Sequence, residues 1–565
     1  MMRTALPRTG LLPSGGSPSC TCARQASHYP ASLSTASAPP PPPPPPAPST
    51  SLFAQPSTPT LAHPLDNPAW SDPAYLKRYR NPSRHDARLP PSRRLDTAAK
   101  AGARSHSVAS TSAAATANAD GNGGGVKVQR SRRNRLEMEA LWSGGDFSPP
   151  IPLESYRAQT TRPRHALLFP GSGSQYVGMG AFLREQKPAQ DVWAVADEAL
   201  AGFEEWRKGL KLHEHDGELG QLGRMLDETE AARRREPQLR EVVFEGPQDE
   251  LTRSSNAQPA ILVTSTAFLR TLERQYNLPL SATSSLILGH SSGEYSAAVA
   301  TGAISLTDGV RLTRLHGLLT HYALSLPSIG LSPDLDAPPA LRGQMSALVL
   351  NPGHSHAELT EVIAKIRAER PSTAAGSEGT VEVASFNSTT QVVLAGSRDG
   401  ILRASEVLKE LEIASRAADL PVSAPFHCSF MAPAAAGMHA ALTSSSISLH
   451  TPSTPLVSGL DGSLITTPSS LVSGLVAQIS RPVRWSTCLS ALPTPQHSVR
   501  RLIFLGPGQA LANLARRDAK LRREAEVAAG AATGEDGEGE TEVLSVATEK
   551  DMERLRETWE EEDGA

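Results

Sequence analysis

The residue of this chain best placed to do chemistry is Ser291, set in the run Gly289-His290-Ser291-Ser292-Gly293-Glu294-Tyr295. The spacing G-x-S-x-G is that of a nucleophile elbow, in which glycines permit a strained bend and a close strand-to-helix approach that push a serine hydroxyl into the open. The first unpaired N–H groups of a helix opening at this bend would point at the same place, so negative charge developing beside Ser291 would be stabilised. The competing reading is an inert turn serine, since the motif recurs by chance in a chain with 43 glycines and abundant serine. A second glycine-rich stretch, Pro170-Gly171-Ser172-Gly173-Ser174-Gln175, lacks the third glycine and the lysine of the nucleotide-binding loops. Its alternative use is to bring a backbone N–H close to a reacting carbonyl.

Both stretches need strands to hold them. The apolar His165–Phe169 leads into the first loop and Leu286–Leu288 into the bend, while the small residues of Ser296–Ala300 form a helix face able to lie against a sheet. A helix is expected from Ala257 to about Gln275 with Pro259 in its first turn, and an amphipathic helix over Leu306–His316. The charged Lys208–Arg240 reads as an exposed insertion, and a proline-rich loop spans Pro327–Pro339. From Met345 the pattern becomes strand 346–350, helix 357–368, strands 381–386 and 391–396, helix 400–411 and strand 415–420, which is the ferredoxin-like order. The chain then returns through Pro421–Ser429, continues past Pro482–Trp485 and ends its core with Arg501–Gly508. Beyond Arg517 a loose charged tail is expected, with a helix at Glu549–Glu562. The fold class is therefore α/β: an α/β-hydrolase-like large subdomain, an inserted ferredoxin-like small subdomain and a long disordered N-terminal region.

Composition sets the remaining bounds. With 55 Lys and Arg against 58 Asp and Glu the chain is nearly balanced, so neither a nucleic-acid partner nor an acidic one is implied for the whole molecule. Four cysteines, Cys20, Cys22, Cys428 and Cys488, form neither a disulfide framework nor a metal-binding spacing, so no metal is expected and a reducing compartment fits. No apolar run is long enough to span a membrane. Residues 1–65 contain no Asp or Glu but carry Arg3, Arg8 and Arg24, the composition of an organellar transit peptide, followed by a polyproline linker at Pro39–Pro46. Between Lys77 and Arg135, 14 basic residues face three aspartates, which reads as a solvated tail. The expected division is 1–65 transit peptide and linker, 66–162 basic segment, 163–344 large subdomain, 345–420 small subdomain, 421–520 large subdomain continued and 521–565 charged tail.

Four stretches in one order, Phe169–Gln175, Gly289–Tyr295, Ala424-Pro425-Phe426-His427-Cys428 and Leu505-Gly506-Pro507-Gly508, resemble malonyl-CoA:acyl carrier protein transacylases of the stand-alone mitochondrial type. The resemblance covers about residues 163–520. It implies Ser291 as nucleophile and His427 as its general base, in keeping with the need of a serine hydroxyl for such a partner. It further implies the backbone N–H groups of Ser172 and Ser292 as oxyanion donors and the backbone carbonyl of Gln478 as the group that orients His427. Gln258, Asn387, Phe426 and His316 would contact substrate. His290, beside the nucleophile, reads as structural. The reaction implied is malonyl transfer from malonyl-CoA to the phosphopantetheine thiol of acyl carrier protein for fatty acid synthesis, in the mitochondrial matrix, by a monomer without a cofactor.

Two positions depart from the family pattern. Ser172 stands where glutamine is usual, which leaves a backbone donor intact. His316 occupies, by its spacing from Ser291, the place of the arginine that holds the malonyl carboxylate. Arginine offers a permanent charge and two parallel donors, and histidine one N–H and a charge that depends on its surroundings, so weaker malonate recognition is expected. The alternatives are an acyltransferase of altered acyl specificity, a serine hydrolase or thioesterase with water as acceptor, and a binding module that kept the fold without the reaction. A length of 565 residues with no ketosynthase or carrier segment points away from a multidomain synthase.

Overall fold

Strand β1 (His165–Phe169) is apolar on both sides, the pattern of a parallel strand covered on two faces. Leu167 and Phe169 belong to one hydrophobic cluster, and Ala166 and Leu168 to another. The computed structural model describes residues 164–232, 238–332, 343–369, 379–494, 497–528 and 541–564. The expected transit peptide, polyproline linker and basic segment lie outside the described residues, as do residues 333–342 of the proline-rich loop.

Four further parallel strands join β1: β2 (Leu286–Gly289), β7 (Leu456–Val457), β9 (Arg501–Leu505) and β10 (Glu542–Val546). With the antiparallel β8 (Leu464–Ile465) the sheet order is β10-β9-β1-β2-β7-β8. Parallel alignment brings the loops after β1, β2, β7 and β9 to one edge of the sheet, where open α/β folds place their ligands. One face is covered by α1 (Ser254–Gln275), α2 (Gly293–Ala300) and α3 (Leu306–Ala323), and the other by Trp485, Cys488 and Ala512 with their neighbours.

The small subdomain is an antiparallel sheet in the order β4-β5-β3-β6, made of β3 (Gly343–Leu350), β4 (Val381–Phe386), β5 (Gln391–Ser397) and β6 (Ala414–Asp419). Side chains alternate across it. Leu348, Val392 and Leu394 pack under α4 (His356–Glu369) and α5 (Arg398–Glu410), whereas Met345, Ala347, Val393 and Ala395 face the large subdomain. The order is that of a ferredoxin-like unit, as the element string predicts.

Three expectations need correction. The Lys208–Arg240 stretch is not an exposed insertion: Leu212, Leu222, Leu226 and Leu239 are buried in the main core, and Arg207 just before it is buried between Glu204 and Asp227, each at 2.8 Å. An apolar stripe at helical spacing lay hidden in a highly charged segment. Pro259 does not begin its helix but sits in the second turn of α1. A proline there leaves the carbonyl four residues earlier without its N–H, and Arg314 Nη1 fills the gap by donating to the Ser255 oxygen at 2.9 Å.

The described residues beyond Arg517 are not the loose tail expected. Helix α7 (Ala510–Ala528) and β10 extend the large subdomain, and β10 pairs in parallel with β9. The final helix, α8 (Glu549–Gly564), buries Met552, Leu555 and Trp559, the last meeting His165 edge-on with ring centroids 5.2 Å apart. Its high charge masks this three-residue stripe. The buried Arg501 completes the join with Glu542 at 2.6 Å and Glu562 at 2.6 Å. Among the described residues, no helix is long and apolar enough to cross a membrane.

Candidate active site

The bend after β2 carries Ser291 in the left-handed backbone region at φ 56°. The glycines on either side answer to crowding: a Cβ on Gly289 would lie 2.0 Å from the Gly293 carbonyl carbon, and one on Gly293 2.5 Å from the Phe169 oxygen. No larger residue fits where strand, bend and helix meet. His290 N–H donates to the Phe169 oxygen at 2.9 Å, which locks the elbow to the end of β1, and α2 starts two residues after the nucleophile.

Ser291 Oγ lies 2.7 Å from His427 Nε2. His427, 136 residues later, also has a left-handed backbone, at φ 60°. Strained geometry of this kind persists only where the surroundings over-determine it, and here the segment after α6 (Pro468–Ala477) grips the histidine twice. Its backbone N–H donates to the Ile479 oxygen at 3.2 Å, and its Nδ1–H donates to the Gln478 oxygen at 2.6 Å. A carbonyl only accepts, so the ring proton resides on Nδ1 and Nε2 presents a lone pair to the serine hydroxyl. Burial pushes His427 down to about 4, helped by nearby His290 and opposed by the Gln478 bond. The imidazole is therefore a neutral base at pH 7.

The two expected oxyanion donors belong to touching loops. Ser172 N–H donates to Ser292 Oγ at 3.1 Å. Ser172 can therefore serve a developing oxyanion only by sharing or exchanging that bond. Ser292 caps α2, so its amide stands at the positive end of the helix directly after the nucleophile.

Ser291 and His427 open into a cavity of about 210 Å³, lined also by Gly171 and Ser172 and, from the small sheet, by Met345 and Val393. Asn387 and Phe426 also line it. Asn387 Oδ1 accepts from His290 Nε2 at 3.0 Å, and its amide donates to Gln391 Oε1 at 3.1 Å. His290 itself packs edge-on against Trp485 and is held in place by the Asn387 bond, as a structural residue would be.

Gln258 and His316 are not among the lining residues. Both are buried in the wall, and Gln258 Oε1 and both ring nitrogens of His316 have no hydrogen-bond partner. His316 stands beside Tyr295, with ring centroids 5.8 Å apart, and burial, aided by His427, pushes it down to about 3. At neutral pH it carries no charge. Arg314 is directed elsewhere, onto the first turn of α1.

One residue escaped sequence reasoning although it stood inside the motif. Glu294, in the first turn of α2, is buried and accepts from Gly459 N–H at 2.7 Å and from Gln478 Nε2 at 3.0 Å. The available signal was a lone charge in an otherwise small and apolar helix, Gly293–Ala300. The first turns of α7 and the exposed Arg517 also line the cavity.

Residues 166–324 match the model of the acyl transferase domain family. The chain is 31% identical over 353 residues to a malonyl CoA-acyl carrier protein transacylase of Bacillus subtilis, covering 62% of this chain and 89% of that protein. It is 29% identical to the protein of the same description from Escherichia coli K12, covering 92% of it. Among solved structures, an acyl-carrier-protein-S-malonyltransferase from Bartonella henselae is similar at 30% identity and a TM-score of 0.52, covering 70% of this chain and 99% of that one. A malonyl-transacylase solved with its type II polyketide acyl carrier protein is similar at 25% identity and a TM-score of 0.52, over 70% of this chain and 99% of that one.

Proposed function

Because the chain belongs to the malonyl CoA-acyl carrier protein transacylase family, we propose that it transfers a malonyl group from malonyl-CoA to the phosphopantetheine thiol of acyl carrier protein through an ester on Ser291. The observation that carries the mechanism is the unbroken chain Ser291 Oγ, His427 Nε2, His427 Nδ1 and Gln478 O. His427 takes the hydroxyl proton as Ser291 attacks the thioester carbonyl. The oxyanion meets the amides at the start of α2 and of the Gly171–Ser174 loop, and collapse of the tetrahedral intermediate releases CoA thiol, protonated by His427. The carrier thiol then gives its proton to His427, attacks the malonyl-serine carbonyl and leaves as the malonyl thioester, restoring Ser291.

Incubation with radioactive malonyl-CoA tests this directly: wild-type protein should acquire a label on Ser291 and pass it to the carrier, and Ser291→Ala should acquire none. Label on the Ala variant would refute the assignment, and loss of label to water at the same rate with and without carrier would identify a hydrolase. The neutral, buried His316 favours a second reading of specificity within the same reaction, in which monocarboxylic acyl groups compete with malonyl. For compartment we propose the mitochondrial matrix, on the acid-free, arginine-punctuated composition of residues 1–65. Fusion of those residues to a fluorescent protein tests it, and a diffuse cytosolic signal would overturn it.

A further inference from the structure

A buried acid normally needs a reason, because burying a carboxyl group is costly unless its oxygens are bonded. Glu294 is 4% exposed and uses both carboxyl oxygens to join three separated parts of the chain: its own helix α2, the loop after β7 through Gly459, and the end of α6 through Gln478. Gln478 is also the residue whose backbone oxygen accepts the Nδ1 proton of His427. One residue thus connects the helix that begins behind the nucleophile to the carbonyl that sets the tautomer and direction of the base.

We propose that Glu294 is a positioning residue of the acyl transfer: by fixing the Gln478 side chain and the Gly459 loop it holds the Gln478 carbonyl against His427, so that nucleophile and base keep their register. The inference rests on the dyad assigned above. Glu294 is hydrogen-bonded to neither the nucleophile's hydroxyl nor the base, and its link to His427 runs through Gln478. The groups facing it are Asp461 on the loop after β7, Cys488, and the neighbouring Tyr295. Burial pushes Glu294 up to about 8, so the neutral acid prevails at pH 7, and a glutamine in its place keeps both the shape and an oxygen for the Gly459 N–H.

The test uses a reaction that needs the dyad and no malonyl group. A fluorophosphonate probe is attacked at phosphorus by Ser291 Oγ, fluoride leaves, and the serine proton passes to His427. Its labelling rate is followed from pH 3 to 8 in the wild type, Glu294→Ala, Glu294→Gln, Gln478→Ala and the Glu294→Ala/Gln478→Ala double variant. Loss of the held carbonyl removes the bond that raises the His427 pKa, against the opposing effects of burial and nearby His290. Glu294→Ala should therefore lower the plateau about 10-fold, out of the roughly 100- to 10,000-fold that a positioned base contributes, and move the acid limb to lower pH. Glu294→Gln should recover most of both changes. Gln478→Ala, which breaks the same contact from the other side, should reproduce the Glu294→Ala profile, and the double variant should be no worse than either single one. An unmoved acid limb in both alanine variants, or losses that multiply in the double variant, would overturn the proposal. A wild type that the probe does not label would instead sink the dyad itself.

Discussion

His316 keeps both ring nitrogens unbonded in a buried wall beside Tyr295, and it is uncharged at neutral pH. A neutral imidazole can give a carboxylate one hydrogen bond and no net charge, whereas a guanidinium gives two bonds and a permanent positive charge, and each hydrogen bond to a charged group contributes about 1.5–3 kcal/mol. His316→Arg should thus lower KM for malonyl-CoA about 10-fold and leave acetyl-CoA turnover little changed. Competition between the two donors, read by mass on Ser291, checks this, with a thermal melt to confirm that the larger side chain is accommodated. Equal gains for both acyl groups would place the carboxylate elsewhere in the cavity.

At the scale of elements, the site depends on loops delivered by parallel strands, and those strands depend on what covers them. The β10–α8 unit closes the β9 edge of the sheet and lays Trp559 on His165, the first residue of β1. Removing a large buried aromatic side chain costs about 3–5 kcal/mol, so Trp559→Ala should lower the urea midpoint substantially. The Ser291–His427 pair lies at the other end of β1, so acylation of the surviving folded protein should be nearly unchanged. A variant as stable as wild type would mean that α8 rests on the sheet without bracing it. The buried Arg501 adds to the same join, since breaking an ion pair of this kind strands a charge in the core.

For the whole molecule, buried titratable groups set the pH response. His316 and His427 are held below the ordinary histidine value of 6.5, at about 3 and about 4. The unfolded chain takes up protons at both positions below pH 6.5 while the folded one does not, so the stability they allow is present above 6.5 and is lost as pH falls towards 4 and 3. Glu294 acts in the opposite sense: its folded value of about 8 lies above the ordinary 4.5, so folding binds an extra proton between those pH values and stability declines as pH rises through that window. Each pH unit of either window corresponds to about 1.4 kcal/mol. Urea midpoints from pH 4 to 9 should show a steeper acid limb in wild type than in His316→Asn, and a shallower decline between pH 4.5 and 8 in Glu294→Gln than in wild type. Parallel curves for all three proteins would show that these groups do not control the response.

Sequence alone determined the elements that repeat a simple physical period. The alternating strands and amphipathic helices of residues 343–419 follow the period of two and the period of 3.6, and the glycine pair around Ser291 marks a bend that little else tolerates. The glutamate in that same motif was visible but mute, because nothing local says that Glu294 will reach Gly459 and Gln478, more than 160 residues away. Stripes of three or four apolar residues in charged helices, Leu222–Leu226 and Met552–Trp559, were likewise masked by their neighbours until a core existed for them to fill. The meeting of Ser291 with His427, the burial of His316 without a hydrogen-bond partner for its ring nitrogens and the parallel addition of β10 were decided by tertiary structure. Hydrogen bonds and burial across such separations depend on how strands are ordered in the sheet, and no local propensity encodes that order.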